Sequence, residues 1–377
     1  MERILVTGGA GFIGGCFVRH WIREFPGQVV NFDLLTYAGN LDSLRGVLDD
    51  PRHVFVQADI RNRETVAGVL AQYRPQAILH FAAESHVDRS IDGPADFIST
   101  NVIGTSVLLE CALEYWRTLE TQEQHSFRFL HVSTDEVYGS IEPDRKAREG
   151  DAYAPNSPYA ASKAGADHFV RAYQQTYGLP TLITHSSNNY GPYQFPEKLV
   201  PLMILNALAG KSLPVYGDGT NVRDWLHVED HCSALRAVLE RGSVGESYHI
   251  GGNCEQTNLS VVEAICDIVD RLKTGGDHEP TRRQISFVKD RPGHDHRYAL
   301  DCTKIEQKLD WSPSHPFENG LEATARWYLE HSDWVQRICN GTYHGERLGL
   351  STETPFETEP DSYEQRPTEH HDADEQL

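Results

Sequence analysis

The feature that most constrains this chain lies in its first fourteen residues. The apolar run Arg3-Ile-Leu-Val-Thr7 passes directly into Gly8-Gly-Ala-Gly-Phe-Ile-Gly14. Gly9, Gly11 and Gly14 fit G-x-G-x-x-G. After them Phe17, Trp21 and Phe25 recur at i, i+4 and i+8, the period of an amphipathic helix. A strand, a glycine turn and a helix in that order need a tight turn, a backbone that can approach a pyrophosphate, and a helix packed closely on a strand. The helix N-terminus then offers free N–H groups and its positive dipole end to phosphate. Asp33 ends the next apolar run, 19 residues beyond Gly14. A carboxylate there can accept from a ribose 2′-OH and repels a 2′-phosphate. The next Arg is Arg45, so NAD is expected rather than NADP.

The pattern continues. Strands are predicted at Arg3–Thr7, Val29–Asp33, Val54–Asp59, Ala77–Ala82, Phe127–Ser133 and Thr181–His185, and helices at Phe12–Phe25, Arg63–Tyr73, Ala95–Trp116 and Tyr159–Tyr177. Near-continuously apolar strands alternating with helices imply a doubly wound parallel sheet, a Rossmann-type α/β fold. Past residue 186 the texture changes to loops dense in Asn, Gly, Pro and aromatics, with helices predicted at Leu199–Ala209, Asp230–Arg241, Leu259–Lys273, Lys304–Leu309 and Glu318–His331. The expected organisation is a nucleotide-binding domain over 1–186, with about 218–250 returning to it, and a smaller α/β substrate domain over 187–345. Residues 119–126 read as a surface loop.

With 34 basic against 55 acidic residues the formal charge is −21, which argues against nucleic acid held by a basic surface. Residues 351–377 carry nine acids and one Arg and few apolar side chains, so they read as an acidic disordered tail. No run approaches the ~18 apolar residues of a membrane span. The N-terminus lacks the pattern of a secretory signal, making the cytoplasm the expected compartment. Seven scattered cysteines form no C-x-x-C pair. Buried reduced thiols are expected, and no metal.

Two constellations carry chemistry. Tyr159 and Lys163 stand at i, i+4 on one helix face, where an ammonium would draw the phenol pKa down toward working pH. Ser133-Thr-Asp-Glu136 closes a predicted strand, where ligands of such sheets bind. Adjacent residues of a regular strand point to opposite faces, so Asp135 and Glu136 can share a site only if the strand has ended.

Taken together, T-G-G-A-G-F-I-G, Phe81-Ala-Ala-Glu-Ser-His-Val-Asp-Arg-Ser90, Ser133 and Tyr159 with Lys163 resemble the extended short-chain dehydrogenase/reductases, over roughly residues 1–335. The acid pair, Asn188-Asn-Tyr-Gly-Pro-Tyr-Gln-Phe-Pro-Glu-Lys-Leu199 and Arg291-Pro-Gly-His294 are similar to the dTDP-glucose 4,6-dehydratases of that group. The resemblance implies oxidation of a hexose at C4, loss of water across C5 and C6, and return of the hydride to C6, giving a 4-keto-6-deoxy sugar with no net change in NAD.

It implies Glu136 as base at C5, Asp135 as acid for the 6-hydroxyl, Thr134 on the 4-oxygen, and Tyr159 with Lys163 at C4. NAD contacts would be Gly8, Gly11, Phe12, Ile13, Gly14, Asp33, Asp59, Ile60, Ala82, Ala83, Ser85, Thr100 and Asn189, together with Tyr159 and Lys163. Sugar-nucleotide contacts would be Ser85, Asn188, Lys198, Leu199, Pro214, Tyr216, Arg223, Asn258, Arg291 and His294, with the two Arg as diphosphate clamps. A homodimer through a four-helix contact is also implied. Alternatives are a UDP-, CDP- or GDP-sugar dehydratase, a 4-epimerase, a UDP-glucuronate decarboxylase, and a non-catalytic NAD-binding sensor.

Overall fold

Alternate residues of the first strand leave for different cores. Ile4 and Val6 join a cluster with Phe17, Trp21 and Leu235, while Leu5 joins one with Val30, Phe32 and Leu109. A strand buried on both faces is what a continuously apolar run requires. The computed structural model describes residues 1–273 and 279–339. The proposed tail lies outside them, as do residues 340–345.

The strands are β1 (Arg3–Thr7), β2 (Gln28–Asp33), β3 (His53–Gln57), β4 (Ala77–His80), β5 (Arg128–Thr134), β6 (Thr181–Ser186), β7 (Asn188–Tyr190), β8 (Leu213–Tyr216), β9 (Val222–His227), β10 (Ser247–Ile250), β11 (Glu255–Thr257) and β12 (Ile285–Val288). Seven form one parallel sheet in the order β10-β6-β5-β4-β1-β2-β3. Strand order reverses between β1 and β4, opening a crevice at their carboxyl ends. A three-stranded sheet β11-β9-β7 and the pair β12-β8 lie apart. There a third core gathers Tyr190, Met203, Trp225, Ile265, Phe317 and Tyr328.

The expected parallel α/β sheet is present. Three details differ from the sequence reading. Strands β3 and β4 stop at Gln57 and His80, so Asp59 and Ala82 stand beyond them in the crevice. The run read as a surface loop holds a helix, Thr121–Ser126, closed by a reciprocal cap in which Glu120 and Glu123 each accept from the other's backbone N–H. It is exposed, so polarity hid a capping box. Finally, Ala95–Trp116 is not one regular helix. Pro94–Phe97 leads into a π-helical turn, Ile98–Gly104, and then Thr105–Arg117. The turn presents Asn101 inward, bonded to Glu84 and to Ser162 Oγ (2.8 Å). Helical Pro94–Arg117 is long and apolar enough by composition to cross a membrane, and half of its apolar window is buried in the protein. All seven cysteines are free thiols, five of them buried.

Candidate active site

The turn after β1 is shaped by what it excludes. Gly8 has φ +72°, and a Cβ there would sit 2.5 Å from the Ala82 nitrogen. A Cβ on Gly14 would sit 2.3 Å from the Gly8 carbonyl oxygen. Glycine at these positions lets helix Phe12–Glu24 begin directly over β1, with its first N–H groups facing the crevice. Asp33, at the end of β2, accepts from the backbone N–H of Ala10 (2.9 Å) and Leu35 (2.8 Å). Burial raises its pKa, opposed by those two bonds. Asp59 is held by Arg61, and its carboxyl is lowered by that pairing.

One cavity at the carboxyl ends of the strands is lined by Gly8, Gly11, Phe12, Ile13, Gly14, Asp33, Asp59, Ile60, Ala82, Ala83, Ser85 and Thr100. It continues over Thr134, Asp135, Glu136, Tyr159, Lys163, Asn188, Asn189 and Lys198. The glycine cradle, the carboxylate after β2 and the helix N-terminus fit a dinucleotide, with the pyrophosphate on the cradle.

Strand β5 ends at Thr134, and Asp135–Tyr138 is a 3₁₀ turn that Thr134 caps through the Glu136 N–H. The strand therefore stops where two adjacent acids can turn to the same side. Asp135 is 3% exposed. Asp135 Oδ2 and Glu136 Oε2 are buried with no hydrogen-bond partner among the described residues. Burial, then the Glu136 charge, lifts Asp135 well above the usual carboxylate range. Burial also raises Glu136, but Arg291, Arg223 and Lys198 pull it back. Of the pair, Asp135 keeps its proton more readily.

Helix Pro158–Tyr177 opens with Ser157 as N-cap and Pro158 in its first turn, which seats Tyr159 and Lys163 in the cavity. The expected lowering of Tyr159 is corrected here. Its phenol is raised, first by burial and then by the Glu136 and Asp135 charges; Thr134 opposes this as a hydrogen-bond partner. Lys163 is spent differently: Nζ donates to the Val132 carbonyl (2.9 Å), and burial pushes it down to about 8.

Beyond the cavity, Tyr216 OH donates to Asp88 (3.0 Å), Arg291 reaches the same carboxylate (3.4 Å), and the His294 ring lies edge-on to Tyr216 at 6.2 Å. Arg291 Nε is buried with no hydrogen-bond partner among the described residues. Lys198 Nζ donates to the Ser85 carbonyl (2.9 Å). Arg223 is not a loose surface cation. It is 4% exposed, donates to the carbonyls of Val222, Asp295 and His296, and lies over the Tyr298 ring at 4.3 Å. Leu199, Pro214 and Asn258 do not line the cavity. Leu199 packs on the third core, Pro214 sits in β8 opposite Ser286, and the Asn258 N–H serves the Asn221 carbonyl.

Sequence reasoning passed over Glu197, which also lines the cavity. Its buried carboxylate takes Tyr37 OH (3.1 Å) and Arg89 Nε (3.2 Å), and lies 3.8 Å from His86. Its neighbour Lys198 was the available signal. His86 is an N-cap for Asp88, kept neutral by burial at about 2. Away from the cavity, His227, Glu229 and His315 bring possible ligand atoms within 4.8 Å of one another.

The family model described as GDP-mannose 4,6 dehydratase matches residues 5–324. A curated dTDP-glucose 4,6-dehydratase of Xanthomonas campestris is 54% identical over 351 residues, covering 93% of this chain and 100% of the relative. The chain belongs to the dTDP-glucose 4,6-dehydratase family. Solved structures agree with that membership. The dTDP-glucose 4,6-dehydratase of Bacillus anthracis in complex with NAD has TM-score 0.80 at 46% identity, covering 90% of this chain and 100% of that one. That of Streptomyces venezuelae with NAD and dTDP bound has TM-score 0.81 at 48% identity, covering 89% and 99%.

Proposed function

We infer that this chain converts dTDP-glucose to dTDP-4-keto-6-deoxyglucose. The observation that carries the reading is the buried pair Asp135 and Glu136, each with an oxygen lacking a partner among the described residues, in one cavity with Tyr159. An epimerase needs no such pair, because it leaves the C5 proton in place. Bound NAD supplies the hydride acceptor at C4 and the donor at C6.

The chain's own residues do the rest. Gly8, Gly11 and Gly14 with the N-terminus of the first helix hold the pyrophosphate, and Asp33 accepts from the ribose. Tyr159 takes the proton of the 4-hydroxyl, with Thr134 bonded to the same oxygen. Glu136 removes the C5 proton, which the C4 ketone acidifies, and Asp135 protonates the leaving 6-hydroxyl. Arg291, Lys198 and Arg223 face Glu136 closely enough to act on its charge, so they bring positive charge to the substrate end of the cavity. Arg291, whose buried Nε has no hydrogen-bond partner among the described residues, is the better diphosphate ligand of the two arginines, since Arg223 is spent on three carbonyls.

Incubation with dTDP-glucose, UDP-glucose and GDP-mannose in turn, read by the alkali-induced absorbance of a 4-keto product, tests this. Product is expected from dTDP-glucose first. Purified protein should carry NAD and turn over many sugars per NAD. Consumption of one NAD per sugar would make it a plain dehydrogenase.

We also propose a homodimer. Ile98, Ile103, Phe169 and Tyr177 are large apolar side chains with 42–54% exposure, and all four stand on Pro94–Arg117 and Pro158–Tyr177. Paired with their copies about a two-fold axis, these helices would cover them in a four-helix contact. Ile103→Asp should shift sedimentation from dimer to monomer; an unchanged dimer, or a monomeric parent protein, counts against the interface.

A further inference from the structure

Helix Pro158–Tyr177 repeats its catalytic spacing once more. Tyr159, Lys163 and Asp167 follow at four-residue intervals, and all three are buried, Asp167 at 2% exposure. Asp167 faces the sheet. One of its oxygens lies 3.2 Å from His131 Nε2 on β5. The other accepts from Ser133 Oγ (2.8 Å) and Tyr153 OH (3.1 Å) and lies 3.2 Å from His185 Nε2 on β6. His131 Nε2 is in turn 3.5 Å from Lys163 Nζ, and Tyr153 OH is 2.8 Å from His185. Three elements of the fold thus converge on one carboxylate one helical turn beyond the catalytic lysine.

We propose that Asp167 is a positioning residue of the reaction: fixed by His131, His185, Ser133 and Tyr153, its buried charge acts through space as the counter-ion that keeps Lys163 an ammonium in the cavity it shares with Tyr159. The inference rests on the role given to Tyr159 and Lys163 above.

The charges around Lys163 decide the matter. On β5 stand His131 and, past its end, Asp135 and Glu136. On β4 stands His80, bonded between Thr7 and Thr105 (2.7 and 2.9 Å). On β6 stands His185, and Tyr138 and Tyr153 close the cluster. Burial and the lysine keep His80 and His131 neutral, His131 at about 4. Asp167 resists its own burial because His131 and His185 hydrogen-bond its charged form, holding it far below the carboxylate range. Burial pushes Lys163 toward its neutral form, and the charge acting against that loss is Asp167. Without it, the ammonium would be lost at lower pH, while Tyr159, which the Asp167 charge also raises, gives no opposing signal on that limb.

The test is the kcat–pH profile of Asp167→Asn on dTDP-glucose, beside the parent protein. Asparagine keeps the shape and one acceptor but not the charge. The alkaline limb, where the Lys163 ammonium is lost, should move to lower pH. At pH 7.5 kcat should fall by roughly 10-fold or more, within the range for disturbing an acid–base group, with KM and NAD content unchanged. Asp167→Glu, which retains the charge, should recover the parent's alkaline limb. If Asp167→Asn is insoluble, Asp167→Ser, smaller and uncharged, reads the same profile. A neutral variant whose alkaline limb coincides with the parent's, whatever its melting temperature, overturns the inference and leaves the dehydratase reading standing. A parent protein that makes no 4-keto product fails that reading itself, and the inference with it.

Discussion

Glu136→Gln is expected to bind NAD and nucleotide sugar, to oxidise C4, and then to stall. On mixing with dTDP-glucose, absorbance of the reduced nicotinamide should appear, while solvent deuterium at C5 and 4-keto-6-deoxy product fall by at least ~100-fold, the lower range for loss of a general base. Glutamine preserves volume, so the 3₁₀ turn and its Thr134 cap have no reason to move. What it cannot do is take a proton. Glu136 is suited to that task because Arg291, Arg223 and Lys198 offset the effect of burial on its carboxyl. Turnover near the parent rate would remove Glu136 from the mechanism, and Tyr159 would then have to serve both C4 and C5.

Asp135→Asn should lose activity on a similar scale, yet gain stability. Asp135 is raised well above the ordinary carboxylate range by burial and by the Glu136 charge. A group raised in this way binds its proton more tightly folded than unfolded. Its contribution is most favourable below the unfolded pKa, about 3.9 for Asp, and is lost as pH rises through the folded pKa. Above that pKa the folded protein carries a buried charge whose Oδ2 has no hydrogen-bond partner among the described residues. Asparagine abolishes it. Asp135→Asn should therefore melt higher than the parent at pH 8, by about 1 °C if the penalty is about 1 kcal/mol. The gap should shrink as pH falls toward 4. Product formation should drop ~100-fold or more for want of the acid. In the parent, kcat should fall as pH rises through the folded pKa of Asp135. Equal melting at every pH would show that the carboxyl carries no burial penalty, and the division of labour between the two acids would have to be reversed or abandoned.

How much of this was legible beforehand follows the range of the interactions involved. Glycines 8 to 14 pack against residues close in sequence and against the adjacent strand. Their spacing alone therefore implied the strand, the turn, the helix and the anion site. Continuously apolar runs alternating with amphipathic ones likewise implied a parallel sheet buried on both faces, and Tyr159 with Lys163 needed only the helical period. Other properties depended on partners far along the chain. Where β5 stops decides whether Asp135 and Glu136 face one site or two. The period of a strand does not encode its own end, which here depends on the Thr134 cap.

The orientation of Lys163 toward the Val132 carbonyl, the raised rather than lowered Tyr159, and the commitment of Arg223 to backbone oxygens all follow from burial and charge supplied by other elements. The same holds for Asp167. In the sequence it is one more acid on a helix; in the structure it meets β5 through His131, β6 through His185 and the loop before its own helix through Tyr153. Local geometry and the kinds of chemistry available follow from short-range patterns in the chain. Which groups share a dry environment follows from the packed fold, because desolvation and Coulomb interaction act through space on groups whose separation along the chain carries no period to read.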